Sequence, residues 1–320
     1  MSNKLMVSYA PHIRDDESVR DTMMDVLIAL IPAFIFIFWV FGIRGWMVVG
    51  VTVLSCILSE YVWCRLLKKK NTVSDLSAVV TGVLLAFTLP STIPLWMCAI
   101  GGIFAIIVAK QFFGGIGHNI LNPALCARAF MLASWPVDMT SYIAPFMNPF
   151  SPDAVTSATP LAMSDGVTYY NLISGQIGGS IGEVSSILLI IGGLYLILRK
   201  KITPAIPLGF ILSVGVFGFV FSKDGLFAGN PIFSVFSGGV ILGAIFMATD
   251  YVTSPVTLKG QIIYSVLGGF ITVIIRTYGG YPEGVTYAIL LMNIATPLLD
   301  KYIQPRKYGY KRIRKAKEVR

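Results

Sequence analysis

The chain reads as an all-α polytopic membrane protein: about ten transmembrane helices in two inverted five-helix repeats, joined by a long extracytoplasmic loop. Three observations predict this. Of the 320 residues, 55% are hydrophobic and 13% charged, against roughly 25% charged in soluble domains, and mean hydropathy is +0.74. The apolar residues gather in runs, such as 26–41 and 261–275, near the ~20-residue length that crosses a bilayer. The basic residues alternate in density from one connection to the next.

Taken in order, the spans are expected at 22–41, 46–66, 76–90, 95–113, 119–135, 183–198, 204–221, 231–249, 259–277 and 284–301. This divides the chain into an N-terminal segment (1–21), a first five-helix repeat (22–135), a loop (136–182), a second repeat (183–303) and a basic tail (304–320). With the N-terminus in the cytoplasm, 21 of the 25 Lys and Arg lie in cytoplasmic segments. Arg44, Lys223 and Arg276 lie outside, and Arg128 falls within a span. The asymmetry places both termini in the cytoplasm. Trp46, Trp96 and Trp135 fall at span ends, where an aromatic belt is expected.

The first 21 residues carry seven charges before a span-length apolar run, so no cleavable leader is expected. The net charge of +9 does not imply nucleic acid. Nine Lys and Arg are packed into 301–320 beside a span, a pattern that contacts anionic membrane lipids. The four cysteines form no Cys-x-x-Cys pair, and the two histidines are His12 and His118. A metal or iron–sulfur site within the chain is therefore not expected.

The halves echo each other. Ser74-x-x-Ser77, Gly82, Thr88, Lys110, Gly114-Gly115 and Asn122 match Ser234-x-x-Ser237, Gly243, Thr249, Arg276, Gly279-Gly280 and Asn293. Five spans per repeat gives opposite topologies, an arrangement that places sites at the repeat interface beside broken helices.

Two segments carry candidate chemistry. Loop 136–182 has no Lys or Arg and contains Asp153-Ala154-Val155-Thr156-Ser157-Ala158-Thr159; on its residues alone this is also an ordinary Ser/Thr-rich turn. In the block Lys110-x-x-Phe-Gly114-Gly115-Ile-Gly117-His-Asn119-x-x-Asn122-Pro123-Ala124, glycines allow close backbone approach and two amides offer paired donors and acceptors. The same block also reads as a glycine turn with Asn119 as an N-cap and Pro123 opening the next helix. Ionisable groups at membrane depth are expensive and often functional. Glu60 and Asp250 are the candidates for a cation path, whereas Glu283 and Asp300 read as helix-end residues reaching the interface. Arg128 needs a carboxylate or phosphate partner.

These motifs, with Gly178-Gly-Ser180-Ile-Gly182-Glu183, Phe246-Met-Ala-Thr249-Asp250-x-x-Thr253-Ser254-Pro255 and Arg276-x-Tyr-Gly279-Gly280-Tyr-Pro282-Glu283-Gly284, resemble the D subunits of Rnf complexes, the ion-translocating ferredoxin:NAD oxidoreductases. They are also similar to the B subunits of sodium-pumping NADH:quinone reductases, which typically carry a longer N-terminal extension. The resemblance covers nearly the whole chain. It implies FMN joined by a phosphoester to Thr159, within a motif formed by Asp153, Thr156, Ser157 and Ala158; Ser157 stands where the family usually has Gly. It implies non-covalent riboflavin near Gly114, Gly115, Asn119, Asn122 and Lys110, on the opposite face, giving a transmembrane electron path. It further implies residence in a bacterial cytoplasmic membrane and a flavin transferase that loads the loop. Partner subunits with iron–sulfur and flavin centres would complete electron flow between ferredoxin and NAD, coupled to export of Na+ or H+. The chain lacks a Gly-x-Gly-x-x-Gly opening a βαβ unit, so it is not a complete oxidoreductase alone. A passive small-solute channel fits the inverted repeat equally well but leaves the Thr159 motif without a purpose.

Overall fold

The computed structural model describes residues 17–69, 71–143, 156–157, 172, 178–183, 186–222, 225–280 and 283–304. Helix α1 (Val19–Leu66) opens on a capping box: the Ser18 side chain accepts from the Asp21 N–H, and the Asp21 carboxylate accepts from the Ser18 N–H at 2.9 Å. Those Ser18 bonds hold the Asp21 carboxyl below its usual pKa. The helix contains two of the expected spans. They are separated by a single residue, Gly42 (φ 58°, ψ −148°), rather than by a four-residue connection. Only glycine takes that backbone conformation without strain.

Helix α2 (Ser77–Phe87) has 11 residues, about 16 Å of rise, and stops inside the protein. Thr88, Leu89, Pro90 and Ser91 follow as buried non-helical chain. Backbone at this depth is tolerated only where protein satisfies it. Here the Gly182 N–H donates to the Phe87 carbonyl (2.6 Å), the Ile181 N–H to that of Leu89 (2.9 Å), and Arg44 to those of Ser91 (3.4 Å) and Ile93 (2.7 Å). Helix α3 (Leu95–Ile106) runs into a π-helical turn (Ile107–Gln111). Helix α4 (Pro123–Ser134) begins at the expected proline. Its cap is Asn122, whose side chain accepts from the Ala124 and Leu125 N–H groups; the Asn119 amide donates to the Leu121 carbonyl instead. A short α5 (Pro136–Thr140) leads to strand β1 (Tyr142–Ile143), which pairs antiparallel with β2 (Thr156–Ser157).

The second half contains α6 (Ser186–Leu198) and α7 (Ala205–Val220), then strands β3 (Phe221–Ser222) and β4 (Gly225–Leu226). The span expected at 231–249 is interrupted: α8 (Pro231–Phe236) gives way at Ser237 to extended backbone, and α9 (Val240–Leu242) continues as a second π-helical turn (Gly243–Met247). Helices α10 (Leu258–Tyr278) and α11 (Val285–Tyr302) complete the bundle. Among the described residues, the regular structure is helical apart from two strand pairs, which the sequence does not announce.

Helix α1, α3 with its π turn, and α10 are long and apolar enough to cross a membrane, and α2, α4, α6 and α7 are shorter apolar helices. Ile28, Ile31, Ile35, Phe38 and Trp39 on α1, and Leu208, Leu212, Val216 and Phe219 on α7, are exposed. Their three- and four-residue spacing forms apolar stripes facing outward, which suits lipid rather than water. Inside, α1 packs on α2, α3 and α6; α7 packs on α8 and α10; α4 and α11 meet across the centre. Small residues set the closest approaches. A methyl group at Gly192 on α6 would collide with the Ala29 carbonyl oxygen of α1, whereas one at Gly50 would meet nothing within 4 Å. Gly192→Ala is therefore expected to destabilise the protein by about 1–3 kcal/mol and Gly50→Ala to leave it unchanged or stabilised, as read by thermal unfolding in detergent.

Candidate functional site

A cavity of about 430 Å³ opens at the end of the molecule that carries the start of α1 and the end of α11. Thr22, Met23 and Val26 of α1 form one wall and Val80, Thr81 and Leu84 of α2 another. Ile116, Gly117, Asn119 and Asn122 close it from the segment before α4, and Phe246, Thr249, Asp250 and Tyr251 from the segment after α9. The volume and the mixture of apolar walls with few polar groups suit an organic ring system. The turn between α3 and α4 explains the position of the polar groups. Gly114, Gly115 and Gly117 have φ of 120°, 98° and 87°, values that L side chains rarely adopt. Gly117 lines the cavity, and a side chain there would point into open space. Gly114 and Gly115 shape the turn behind it.

Lys110 lines the same cavity but is 3% exposed. Its ammonium donates to both Glu60 oxygens (3.1 and 2.9 Å) and to the Ser77 hydroxyl (2.6 Å). The fully buried Glu60 also accepts from the Thr72 hydroxyl (2.6 Å) and the Gln111 amide (3.2 Å). Its carboxylate is thus saturated by protein donors, the condition under which a buried ion pair is tolerated. Asp250 stands beside Asn119 and accepts from the Thr253 hydroxyl at 3.2 Å. Asn122 bridges the halves: its amide donates to the Met247 carbonyl (3.2 Å) and, with the Asn293 amide turned to the orientation that satisfies its neighbours, its backbone N–H donates to the Asn293 side-chain oxygen (3.1 Å).

At the opposite end, Arg128 finds its partner. It forms an ion pair with Glu283, whose other oxygen accepts from the Tyr142 hydroxyl at 2.8 Å. Glu283 is therefore not a simple interfacial residue, as its place near a helix end suggests. It joins α4, the start of α11 and strand β1. Asp300 keeps the helix-end role, accepting from the Val256 N–H (3.1 Å). Removing one partner of a buried pair strands the other charge, so Arg128→Gln is expected to cost about 3–5 kcal/mol, and Glu283→Gln similarly. The double substitution should cost less than the sum, measured as a thermal double-mutant cycle.

The sequence-derived candidates thus divide into two groups. Lys110, Asn119, Asn122 and Asp250 converge on one cavity. Asp153, Ala158 and Thr159 lie outside the described residues, while the backbones of Thr156 and Ser157 pair with Ile143 and Tyr142 above the Arg128–Glu283 ion pair. Sequence reasoning assigned Ser77 no role beyond the repeat and left Glu183 and Tyr142 without roles. For Glu183 the signals were its place at the edge of a span and in the Gly178–Glu183 block of the resemblance.

A lipid-facing helical bundle with broken helices and a ligand-sized cavity beside a buried cation defines a membrane protein of transport or redox type. The family model for NQR2, RnfD and RnfE matches residues 6–309, and the chain belongs to that family. It is 50% identical over 321 residues to the D subunit of the Na(+)-translocating ferredoxin:NAD(+) oxidoreductase complex of Acetobacterium woodii, covering 97% of each chain. It is 44% identical to the D subunit of the proton-translocating ferredoxin:NAD(+) oxidoreductase complex of Clostridium ljungdahlii (97% of this chain, 98% of the relative). It is 36% identical to the D subunit of the ion-translocating oxidoreductase complex of Alcanivorax borkumensis (96% and 97%).

Proposed function

We propose that this chain is the D subunit of a membrane complex that moves electrons between ferredoxin and NAD+ and couples their flow to translocation of Na+ or H+, and that it does so as a carrier of two flavins. Riboflavin occupies the cavity bounded by Lys110, Gly117, Asn119 and Asn122. FMN is joined to Thr159 on the loop at the other end. The observation that carries the reading is the cavity: of the residues the resemblance implies for riboflavin, Lys110, Asn119 and Asn122 line one space of suitable volume, with Gly114 and Gly115 in the turn behind it. Asn119 and Asn122 offer amide donors and acceptors to the polar edge of a flavin ring, and Lys110 supplies a fixed positive charge near it. The flavins supply the redox chemistry; the chain binds them and sets the charges around them. Residues 19–41 of α1 rise about 34 Å by helical geometry, enough to reach from one membrane face to the other, and in this reading the asymmetry of basic residues puts the cavity at the cytoplasmic face and the loop outside. Iron–sulfur and flavin subunits of the complex and a flavin transferase are the implied partners.

Inverted repeats are part of this reading, and sequence-matched residues support them. Lys110 at the end of α3 bonds Ser77, and Arg276 at the end of α10 donates to the carbonyls of Ser234 (2.6 Å) and Ser237 (2.9 Å). Asn122 and Asn293, also matched, meet each other at the centre. A solute channel has no use for a saturated Lys–Glu pair in its wall or for the Thr159 motif.

The test is flavin analysis of the purified full-length chain. Denaturation should release riboflavin and leave FMN on the protein, and Asn119→Leu/Asn122→Leu should lose the released fraction alone. Riboflavin retained by that variant, with its fold intact, overturns the cavity assignment.

A further inference from the structure

The segment 178–183 returns from the loop and wedges between the broken ends of α2 and α9. A methyl group at Gly182 would sit 2.8 Å from the Phe87 carbonyl oxygen and 3.1 Å from the Leu242 side chain. The wedge delivers Glu183 to the interior, 3% exposed. One of its oxygens accepts from the Ser180 hydroxyl at 2.8 Å; the other, Oε2, has no hydrogen-bond partner. The charged groups around it are Glu283, Arg128 and Arg276, with Tyr142 bonded to Glu283. Four buried polar side-chain atoms are unpartnered among the described residues, and three belong here: Glu183 Oε2, Arg128 Nε and Ser237 Oγ. Ser237 is fully buried.

This is the counterpart, in the second half, of the flavin cavity in the first. Ser237 and Arg276 match Ser77 and Lys110, but the space is filled by Glu183 and its wedge. A hard cation such as sodium wants a shell of about six oxygens away from positive charge, and here Arg276 spends its donors on the carbonyls of Ser234, Ser237 and Glu283. A proton needs one unpaired carboxylate oxygen.

We propose that Glu183 is a proton-binding site of this protein, exchanging one proton with the loop-side aqueous phase. Two opposing effects make exchange feasible. The poverty of hydrogen bonds at Oε2 favours the protonated, neutral acid, because an ionised carboxylate without donors is expensive to bury. The guanidiniums of Arg128 and Arg276 favour the anion. When Oε2 gives up its proton, the carboxylate remains as the fourth charge of a balanced set of two arginines and two glutamates. The Glu283 carboxylate links that set to Tyr142 and so to the strand paired with Thr156 and Ser157. The site does not depend on flavin attachment.

The experiment is pH-difference infrared spectroscopy of the full-length, flavin-loaded protein in lipid vesicles, following the C=O stretch of protonated carboxyl groups. One titrating component is expected to vanish in Glu183→Gln while covalent flavin fluorescence is retained. Ser180→Ala, which removes the donor to the ionised form, should raise the midpoint of that component by about half to one unit. An identical difference spectrum in Glu183→Gln overturns the proposal. If that variant does not fold, an unmoved midpoint in Ser180→Ala overturns it. Displacement of the component at constant pH by sodium chloride, but not by choline chloride, also overturns it, in favour of a cation site. Fluorescence lost from the wild type would instead count against the flavin reading alone.

Discussion

Thr159→Val is expected to abolish covalent flavin entirely. When the chain is co-expressed with its flavin transferase and run on a denaturing gel, the wild-type band should fluoresce and the variant band should be dark. The substitution exchanges the hydroxyl for a methyl group and keeps the β-branched shape, so the reactive group is lost with little change in size. The phosphoester requires that hydroxyl, which the resemblance assigns to Thr159 rather than to Thr156 or Ser157. Pairing of Thr156 and Ser157 with β1 anchors the start of the motif to the bundle. A dark wild-type band, with the transferase active on a control substrate, would falsify the attachment. Fluorescence persisting in the variant would move it to another residue, with Thr156 and Ser157 the next candidates.

Glu60→Gln is expected to lower stability by about 3–5 kcal/mol, because it leaves the Lys110 ammonium buried without its counter-charge. Glu60 accepts hydrogen bonds from Lys110, Thr72 and Gln111 at once, so the substitution also disturbs the turn that follows α1. Two quantities separate structure from binding: the thermal midpoint in detergent, and the riboflavin retained after purification. The single variant should lose both. The double variant Glu60→Gln/Lys110→Met should recover much of the midpoint, since an apolar side chain replaces a buried pair at little cost. It should not recover riboflavin, because the cavity has lost its cation. Recovery of both would show that Lys110 serves only as the partner of Glu60.

The broken helices show where local pattern stops being informative. Residues 231–249 form one largely apolar run of span length; Ser237-Gly238-Gly239 marks a weak point within it, but does not say that Ser237 becomes extended or what holds the break. The interruption is stabilised from afar, by Arg276 donating to the Ser234 and Ser237 carbonyls. In α2 the stop is announced locally by Pro90, but the freed carbonyl of Phe87 is satisfied by the N–H of Gly182, 95 positions downstream in the numbering. In a membrane interior, backbone groups accept whatever donors the tertiary structure brings, so helix ends there follow from packing rather than from capping residues. Where the donor is local the sequence was legible: Asn122-Pro123 marks the start of α4, although the cap is Asn122 and not Asn119.

Membrane class, the approximate position of most helices, the family resemblance and four polar residues that line the cavity, Lys110, Asn119, Asn122 and Asp250, were legible in the chain before it was folded. Each is written in short-range signals: run length, charge asymmetry, glycine spacing and contiguous motifs. The partners of the buried charges emerged from the folded arrangement alone. Arg128 pairs with Glu283 and Lys110 with Glu60 across separations that no periodicity encodes. The same holds for Glu183, which reads in the sequence as an acid at the rim of a span and lies in the structure between two broken helices with one oxygen unpartnered. A charge at membrane depth is governed by what surrounds it in three dimensions, and that environment is assembled from segments far apart in the chain.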